Sequence, residues 1–178
     1  MEEYAYVLDV IPFGDAKTGN MLVKLIGEKN FTLLDGVLRK NATARIGERL
    51  YIGKDLDKRE KLSKIRGRIY FDKLTSTAKD NLLDILKTIV KNKEALFVNF
   101  VNKATYINVR THQLDFIPGI GKKNREIIIN ERKKKPFKDF ADIKTRVPSW
   151  LDPITSFATI ILNELEGKEK HRLFVMRF

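Results

Sequence analysis

The residues around Pro118 constrain the fold of this chain more than any other segment, because they predict a tight turn followed by a helix. Pro118 fixes φ and lacks an N–H group, and Gly119 and Gly121 permit a turn that a Cβ would obstruct. Apolar residues flank the turn at Leu114, Ile117, Ile120, Ile127 and Ile128. This spacing predicts a unit of helix, hairpin and helix over residues 114–132. A plain glycine turn between two packed helices is the alternative.

The predicted turn has the chemistry of an anion site. The first N–H groups of a helix have no intrahelical acceptor, and they form the positive end of the helix dipole. We therefore expect the amides of Gly119, Ile120 and Gly121 to donate to phosphate oxygens. Cations follow on the same turn, at Lys122, Lys123 and Arg125. Such a site suits a nucleic-acid backbone better than a small neutral metabolite.

This segment resembles the helix-hairpin-helix motif, in which an apolar residue precedes Pro-Gly-Ile-Gly and a helix follows. A second, degenerate copy stands 30 residues later, where the sequence Val-Pro-Ser-Trp-Leu at 147–151 leads into an apolar helix over 154–165. Ser149 and Leu151 replace its glycines, so we expect this copy only to bury the apolar face of the first. The resemblance allows a monovalent cation on the loop carbonyls of the first hairpin. No other cofactor is expected.

The charge of the chain agrees with a polyanionic ligand. The 178 residues include 35 Lys and Arg against 23 Asp and Glu, which gives a net charge of +12. Residues 1–60 contain 10 basic and 10 acidic residues, whereas residues 61–110 contain 11 and 4, and residues 111–178 contain 14 and 9. The positive charge therefore begins near Lys61, as is typical of a nucleic-acid-binding protein. A lysine-rich solvated surface is the alternative.

The first 74 residues predict short strands separated by glycine-marked turns. The five predicted strands cover residues 4–10, 21–26, 31–34, 47–53 and 65–71. Five such strands predict a small Greek-key barrel like the oligonucleotide-binding (OB) barrel, although another small barrel would also fit. On the last strand Arg66, Arg68 and Tyr70 share one face, where cations could hold a backbone and a ring could stack on a base. A solvated strand face is the alternative.

Residues 75–110 predict a helical connector between the barrel and the hairpins. Thr75 to Thr77 can cap a helix with an apolar stripe, Asn92-Lys93 interrupts it, and a second helix begins at Glu94. The predicted fold class is therefore α+β. It has an OB-like β-barrel over 1–74, a connector over 75–110 and a helix-hairpin-helix domain over 111–178.

Short motifs along the whole chain carry a wider resemblance. They are Gly-Glu-Arg-Leu-Tyr-Ile-Gly at 47–53, Leu-Thr at 74–75, Phe-Val-Asn at 100–102, Arg-Thr-His-Gln-Leu at 110–114, Phe-Lys-Asp-Phe at 137–140 and Leu-Phe-Val at 173–175. Together they resemble an archaeal family of uncharacterised proteins, the domain of unknown function 655 (DUF655) family. The resemblance implies a predicted nucleic-acid-binding protein with a barrel and helix-hairpin-helix elements, encoded near translation and transcription genes. It thus implies RNA rather than DNA, with the ribosome as a candidate partner.

No catalytic residue is predicted. His112 and His171 have no acid and nucleophile at motif spacing. Asp139 and Asp142 could in principle bind Mg²⁺, but they stand in the predicted hairpin connector, where turn and capping roles are more common. A base-excision glycosylase would place an aspartate after the hairpin and would need a base pocket, which is not evident here. The chain lacks cysteine, so it has no cysteine zinc site, and no metal site is predicted.

The predicted function is non-catalytic nucleic-acid binding, with RNA preferred and a link to translation or ribosomes. The acidic start of the chain is unlike a signal peptide, and no apolar run approaches the ~20 residues of a membrane span. We therefore expect a cytoplasmic protein that does not contact membranes. The alternatives are a structural adaptor that docks on a ribosomal or polymerase protein, and a DNA-binding protein.

Overall fold

The computed structural model describes residues 2–15 and 19–176, and the chain has an α+β fold. Its strands are β1 (Tyr4–Ile11), β2 (Leu22–Gly27), β3 (Leu33–Leu38), β4 (Arg49–Tyr51) and β5 (Leu62–Arg68). Its helices are α1 (Ser76–Asn92), α2 (Glu94–Lys103), α3 (Lys122–Lys134), α4 (Phe140–Arg146) and α5 (Pro153–Leu165), with 3-10 helices at Phe71–Lys73 and Gln113–Phe116. The predicted domain ranges 1–74 and 111–178 also include residues 1, 16–18 and 177–178, which lie outside this description.

The five strands form one curled antiparallel sheet, a half-barrel, in the order β4-β1-β2-β3-β5. Its core contains Ala5, Val7, Val23, Leu25, Leu34, Leu38, Leu50, Ile52 and Leu62. Buried Glu2 holds the turn between β2 and β3, because its carboxylate accepts hydrogen bonds from the N–H groups of Lys29 at 2.9 Å and Asn30 at 2.8 Å. The prediction of a small, five-stranded, barrel-like sheet is confirmed at this level.

All five strands differ from their predicted ranges at one or both ends, and the differences are largest for β3 and β5. The strand predicted at 31–34 begins at Leu33, because Phe31 has a left-handed backbone (φ 54°) and belongs to the preceding turn. The strand predicted at 65–71 is β5, which ends at Arg68. Tyr70 follows this end and is therefore not on the strand. The register of β5 against β3 also shifts, so that Arg66 is the extra residue of a β-bulge.

The helical connector has the predicted helices. The Thr75 hydroxyl accepts a hydrogen bond from the N–H of Ala78 at 3.1 Å and so caps α1. The same hydroxyl donates to the Asp9 carboxylate at 2.6 Å, and the Asn81 side chain donates to the Leu8 carbonyl at 3.3 Å. These bonds tie the start of α1 to β1. The predicted interruption at Asn92-Lys93 is the boundary between α1 and α2.

The chain forms two compact units, Met1–Ile85 with Asn163–Phe178, and Leu86–Leu162. Aromatic rings form much of the core of the second unit. The ring centroid of Phe157 lies 4.9 Å from Phe97, 5.8 Å from Trp150 and 6.2 Å from Phe140. The domain boundaries predicted at 74 and 110 stay predictions. Within residues 2–15 and 19–176, no helix has the length and apolarity that a membrane span requires.

Candidate nucleic-acid interface

The predicted turn between two helical segments is present in the second unit. Residues 117–121 connect the 3-10 helix Gln113–Phe116 to α3. Gly119 has a φ of 84°, which favours glycine, and Gly121 is the N-cap of α3 with extended backbone angles. The Ile120 side chain is buried, and its N–H donates to the Ile117 carbonyl at 3.0 Å. The Ile120 amide therefore closes the turn instead of facing outward.

The front of the turn is open to solvent. Gly119, Gly121, Lys122 and Lys123 are all exposed. A Cβ added to Gly121 would have no heavy atom within 4 Å, so a ligand can approach its backbone closely. The amides at the start of α3 have no acceptor within the helix. The turn thus combines backbone donors, two exposed ammonium groups and an unobstructed approach.

Arg125 is engaged within the protein. Its guanidinium lies 2.8 Å from each oxygen of the Asp115 carboxylate, and its side chain is only 15% exposed. The predicted mobile cation at this position is thus an ion pair that ties α3 to the preceding 3-10 helix. Asp115 lies ten residues away in the chain, and no short motif signals such a pairing.

Asn124 is a site residue that sequence reasoning missed. It is buried, and its side-chain amide donates to the Gly119 carbonyl at 2.8 Å. Its side-chain oxygen accepts a hydrogen bond from the Ser149 hydroxyl, which lies between α4 and α5. Asn124 thus fixes the turn and links it to the segment between α4 and α5. The low helix propensity of asparagine inside a predicted helix is the sequence signal that could have indicated it.

The carbonyls of the turn are compatible with the predicted monovalent cation. The Ile117 carbonyl accepts the Ile120 N–H and the Gly119 carbonyl accepts the Asn124 amide. A carbonyl oxygen has two lone pairs, so each retains capacity for a further ligand.

His112 fixes the entry to the turn. Its ring Nδ1 atom accepts the backbone N–H of Leu114 at 3.0 Å, and the backbone N–H of His112 donates to the Asp115 carboxylate at 2.8 Å. Burial lowers the pKa of His112, with a further contribution from the charge of Arg132. The neutral ring is therefore the form that this environment favours.

The segment predicted as a second hairpin is the connection between α4 and α5, residues 147–152. Trp150 is 1% exposed, and its indole N–H donates to the Ser156 hydroxyl at 2.9 Å.

The expected capping roles of the connector aspartates are also present. Asp139 accepts the N–H of Asp142 at 2.7 Å, and Asp142 accepts the N–H of Lys138 at 3.0 Å. These carboxylates therefore serve helix α4.

The second predicted surface lies in the first unit. Arg66 and Arg68 are exposed on β5, and Tyr70 is 76% exposed just after that strand. Arg68 and Tyr70 line a groove together with residues of the C-terminal segment, whereas Arg66 is not one of its lining residues. The sequence contains no signal that joins this segment to β5.

Comparisons with known proteins identify the family of this chain. The family model described as "Protein of unknown function (DUF655)" matches residues 1–176. The chain belongs to the DUF655 family. It is 38% identical over 177 residues to an uncharacterized protein of Methanocaldococcus jannaschii, covering 98% of this chain and 80% of that relative. A crystal structure of a DUF655 protein from Archaeoglobus fulgidus superimposes with a TM-score of 0.88 at 38% identity, covering 98% of this chain and all of that one. The resemblance predicted from the motifs is thus confirmed.

Proposed function

We propose that this DUF655 protein binds nucleic acid, with RNA preferred, and that residues 113–134 act as a helix-hairpin-helix. The observation that carries the proposal is the open turn at the start of α3. There, Gly121 is exposed, and no heavy atom lies within 4 Å of the position that an added Cβ would take. The exposed Lys122 and Lys123 follow it directly in the chain. Backbone amides at a helix N-terminus and nearby ammonium groups are the donors that phosphate oxygens accept.

The surrounding contacts support a rigid turn. Gly119 is held through its carbonyl by Asn124, and the Arg125–Asp115 ion pair fixes α3 against the preceding 3-10 helix. A site whose donors are already positioned loses less conformational entropy when the ligand binds. We assign the phosphate contacts to the amides of Gly121 and the first turn of α3, because the Ile120 amide has an internal acceptor.

The half-barrel adds a second surface in this proposal. We propose that it acts like an OB barrel and that Arg68 and Tyr70 contact the same ligand. The exposure of both residues at the end of β5 supports this role. The preference for RNA and the link to translation rest on the family resemblance, and the proposed cytoplasmic location rests on the sequence. No catalytic step is included, since the carboxylates of the hairpin connector cap α4.

A structural adaptor is the second candidate, and one observation favours it. The loop after α2 exposes Tyr106, Ile107 and Val109, with Val109 97% exposed. Apolar side chains grouped in one exposed loop are typical of a protein-docking surface. An adaptor would bind its protein partner through these residues, and the basic surface would serve only solubility.

Salt dependence distinguishes the two candidates. The experiment measures binding of labelled 20-nucleotide single-stranded RNA, single-stranded DNA and duplex RNA by fluorescence anisotropy between 50 and 300 mM salt. If phosphate contacts drive binding, the logarithm of the binding constant should fall linearly with the logarithm of the salt concentration. For single strands the slope should be near −0.7 per phosphate contact. Absence of binding at the lowest salt would reject the proposal. Equal binding of RNA and DNA would reject the preference for RNA alone.

A further inference from the structure

A groove in the first unit lies beside the end of β5. It has a volume of about 480 Å³, within the range of about 300–1,000 Å³ that is common for small-ligand sites. Its walls come from residues 31–33, from residues 68–71 and from residues 165–176. We call it the Tyr70 groove, after the residue that is most exposed among its aromatic side chains.

The aromatic side chains of the Tyr70 groove include one, Tyr70, that is far more exposed than a packing residue. The Tyr70 ring is 76% exposed, and Phe71 beside it is half-buried. A ring that serves packing is covered on both faces, as Phe31 of the same groove is at 1% exposure. A ring that stands at the edge of an apolar groove offers a flat face to a planar ligand.

The charge of the Tyr70 groove favours an anionic ligand. Two guanidinium groups line it, Arg68 from β5 and Arg172 from the C-terminal segment, against the single carboxylate of Glu169. Arginine binds phosphate through paired N–H donors and also stacks on planar rings. The groove therefore combines apolar and aromatic side chains with two guanidinium groups, which match the base and the phosphate of a nucleotide.

The walls of the Tyr70 groove are held in place by buried hydrogen bonds. The fully buried Glu164 carboxylate accepts the N–H groups of Leu173 at 2.7 Å and Val175 at 2.8 Å, which fixes the segment that carries Arg172. On the opposite wall, the N–H of Ile69 donates to the Leu33 carbonyl at 3.0 Å. Both sides of Tyr70 are thus anchored to the fold.

We propose that the Tyr70 groove binds one unpaired nucleobase of a single-stranded segment, stacked on Tyr70, with the adjoining phosphate at Arg68 and Arg172. The inference rests on the proposed nucleic-acid binding and adds a preference for single strands. A duplex keeps its bases stacked and paired, so it cannot offer one to the groove. The hairpin turn, by contrast, needs only phosphates.

The test compares two single strands of equal backbone charge, a 12-nucleotide uridine strand and a 12-nucleotide abasic strand. The wild type should bind the uridine strand more tightly by about five- to hundredfold, the range for one base stacked on an aromatic ring. Tyr70→Ala should bring this ratio close to one, and Tyr70→Phe should keep it. Phe13→Ala is the matched control, because Phe13 is 86% exposed in the same unit and does not line the groove.

The hairpin variant Lys122→Ala with Lys123→Ala separates this inference from the proposed function. It should weaken both strands alike and leave their ratio unchanged, because it removes phosphate contacts. A wild-type ratio of one, or a ratio that survives in folded Tyr70→Ala, would overturn the base site while nucleic-acid binding stands. No binding of either strand by the wild type would reject both proposals.

A crosslinking measurement keeps the test valid if Tyr70→Ala does not fold. The wild type is irradiated with a 12-nucleotide strand that contains 4-thiouridine, and the modified peptides are identified by mass spectrometry. Adducts within residues 68–71 or 172–176 support the base site. Adducts confined to other segments, such as the peptide that contains Phe13, would overturn it.

Discussion

Gly119 lies against the indole ring of Trp150, so that a Cβ at position 119 would be 3.2 Å from Cδ1 of that ring. The exposed turn at residues 117–121 therefore packs on the buried tryptophan of the segment 147–152. Ser156 is nearby as well, 3.5 Å from the same Cβ position, and it accepts the indole N–H. Trp150 and Ser156 thus support one side of the turn, while Gly121 on the same turn stays open to solvent.

The two glycines of the turn should respond differently to alanine. Gly119→Ala should lower the free energy of unfolding by about 1–2 kcal/mol, because its φ of 84° is left-handed and Trp150 is close. Gly121→Ala should change it by less than about 1 kcal/mol, since φ is −80° and the space is open. Urea unfolding of both variants checks this. Equal losses would contradict the backbone assignment.

The Gly121→Ala variant also tests the phosphate site without a folding defect. Its methyl group would stand in the open space through which a phosphate must approach the amides of α3. RNA affinity should fall about tenfold or more, as expected for the loss of one charge-assisted hydrogen bond. A folded variant with wild-type affinity would show that the phosphate binds elsewhere.

The paired lysines should control the salt dependence. Lys122→Ala with Lys123→Ala should weaken binding similarly for all sequences and flatten the slope of log K against log salt by about one to two units. Lys91→Ala with Lys103→Ala is the matched control, because both lysines are exposed in the same unit and removal changes the charge equally. A loss that depends strongly on sequence would indicate base contacts instead.

Local patterns were enough to predict the five strands and helices α1, α2, α3 and α5. The interruption between α1 and α2 follows from Asn92-Lys93, and the turn before α3 follows from its Pro-Gly-Ile-Gly sequence. The end of β5 could not be predicted, because the bulge at Arg66 depends on the register of β3. The same limit applies to the site. Exposed Lys122 and Lys123 follow from the sequence, whereas the pairing of Arg125 with Asp115 depends on how the chain packs.

His112 should make the second unit sensitive to acid. Protonation would place hydrogens on both ring nitrogens and remove the acceptor of the Leu114 N–H. Burial lowers the pKa of His112 from 6.5, so the unfolded chain binds the proton first as the pH falls. The free energy of unfolding should therefore decrease below about pH 6.5, by at most about 1.4 kcal/mol per pH unit from this group.

The His112→Asn variant isolates this effect from the titration of carboxylates. Asparagine provides a side-chain acceptor that suits the start of a helix, but it does not titrate. The difference in unfolding free energy between wild type and variant should narrow as the pH falls from 8 to 5, measured by urea denaturation. A difference that stays constant over this range would show that His112 does not contribute to acid sensitivity.

Trp150 should act through stability and not through ligand contact. Its ring is 1% exposed, packs against Phe157 with centroids 5.8 Å apart and donates to Ser156. Trp150→Ala should lower the free energy of unfolding by roughly 3–5 kcal/mol, a large share of the total for a small protein.

The RNA affinity of the Trp150→Ala variant should fall only to the extent that the turn at Gly119, which packs on the Trp150 ring, is destabilised. The decisive comparison measures unfolding and RNA affinity for the same variant at a temperature where it remains folded. Trp150→Phe is the matched control, since it retains an apolar ring but loses the hydrogen bond to Ser156 and part of the ring volume. A variant that kept wild-type stability and lost binding would show that Trp150 stacks on the ligand. The segment 147–152 would then be part of the interface, and the Trp150 ring would have to leave the core to reach a base.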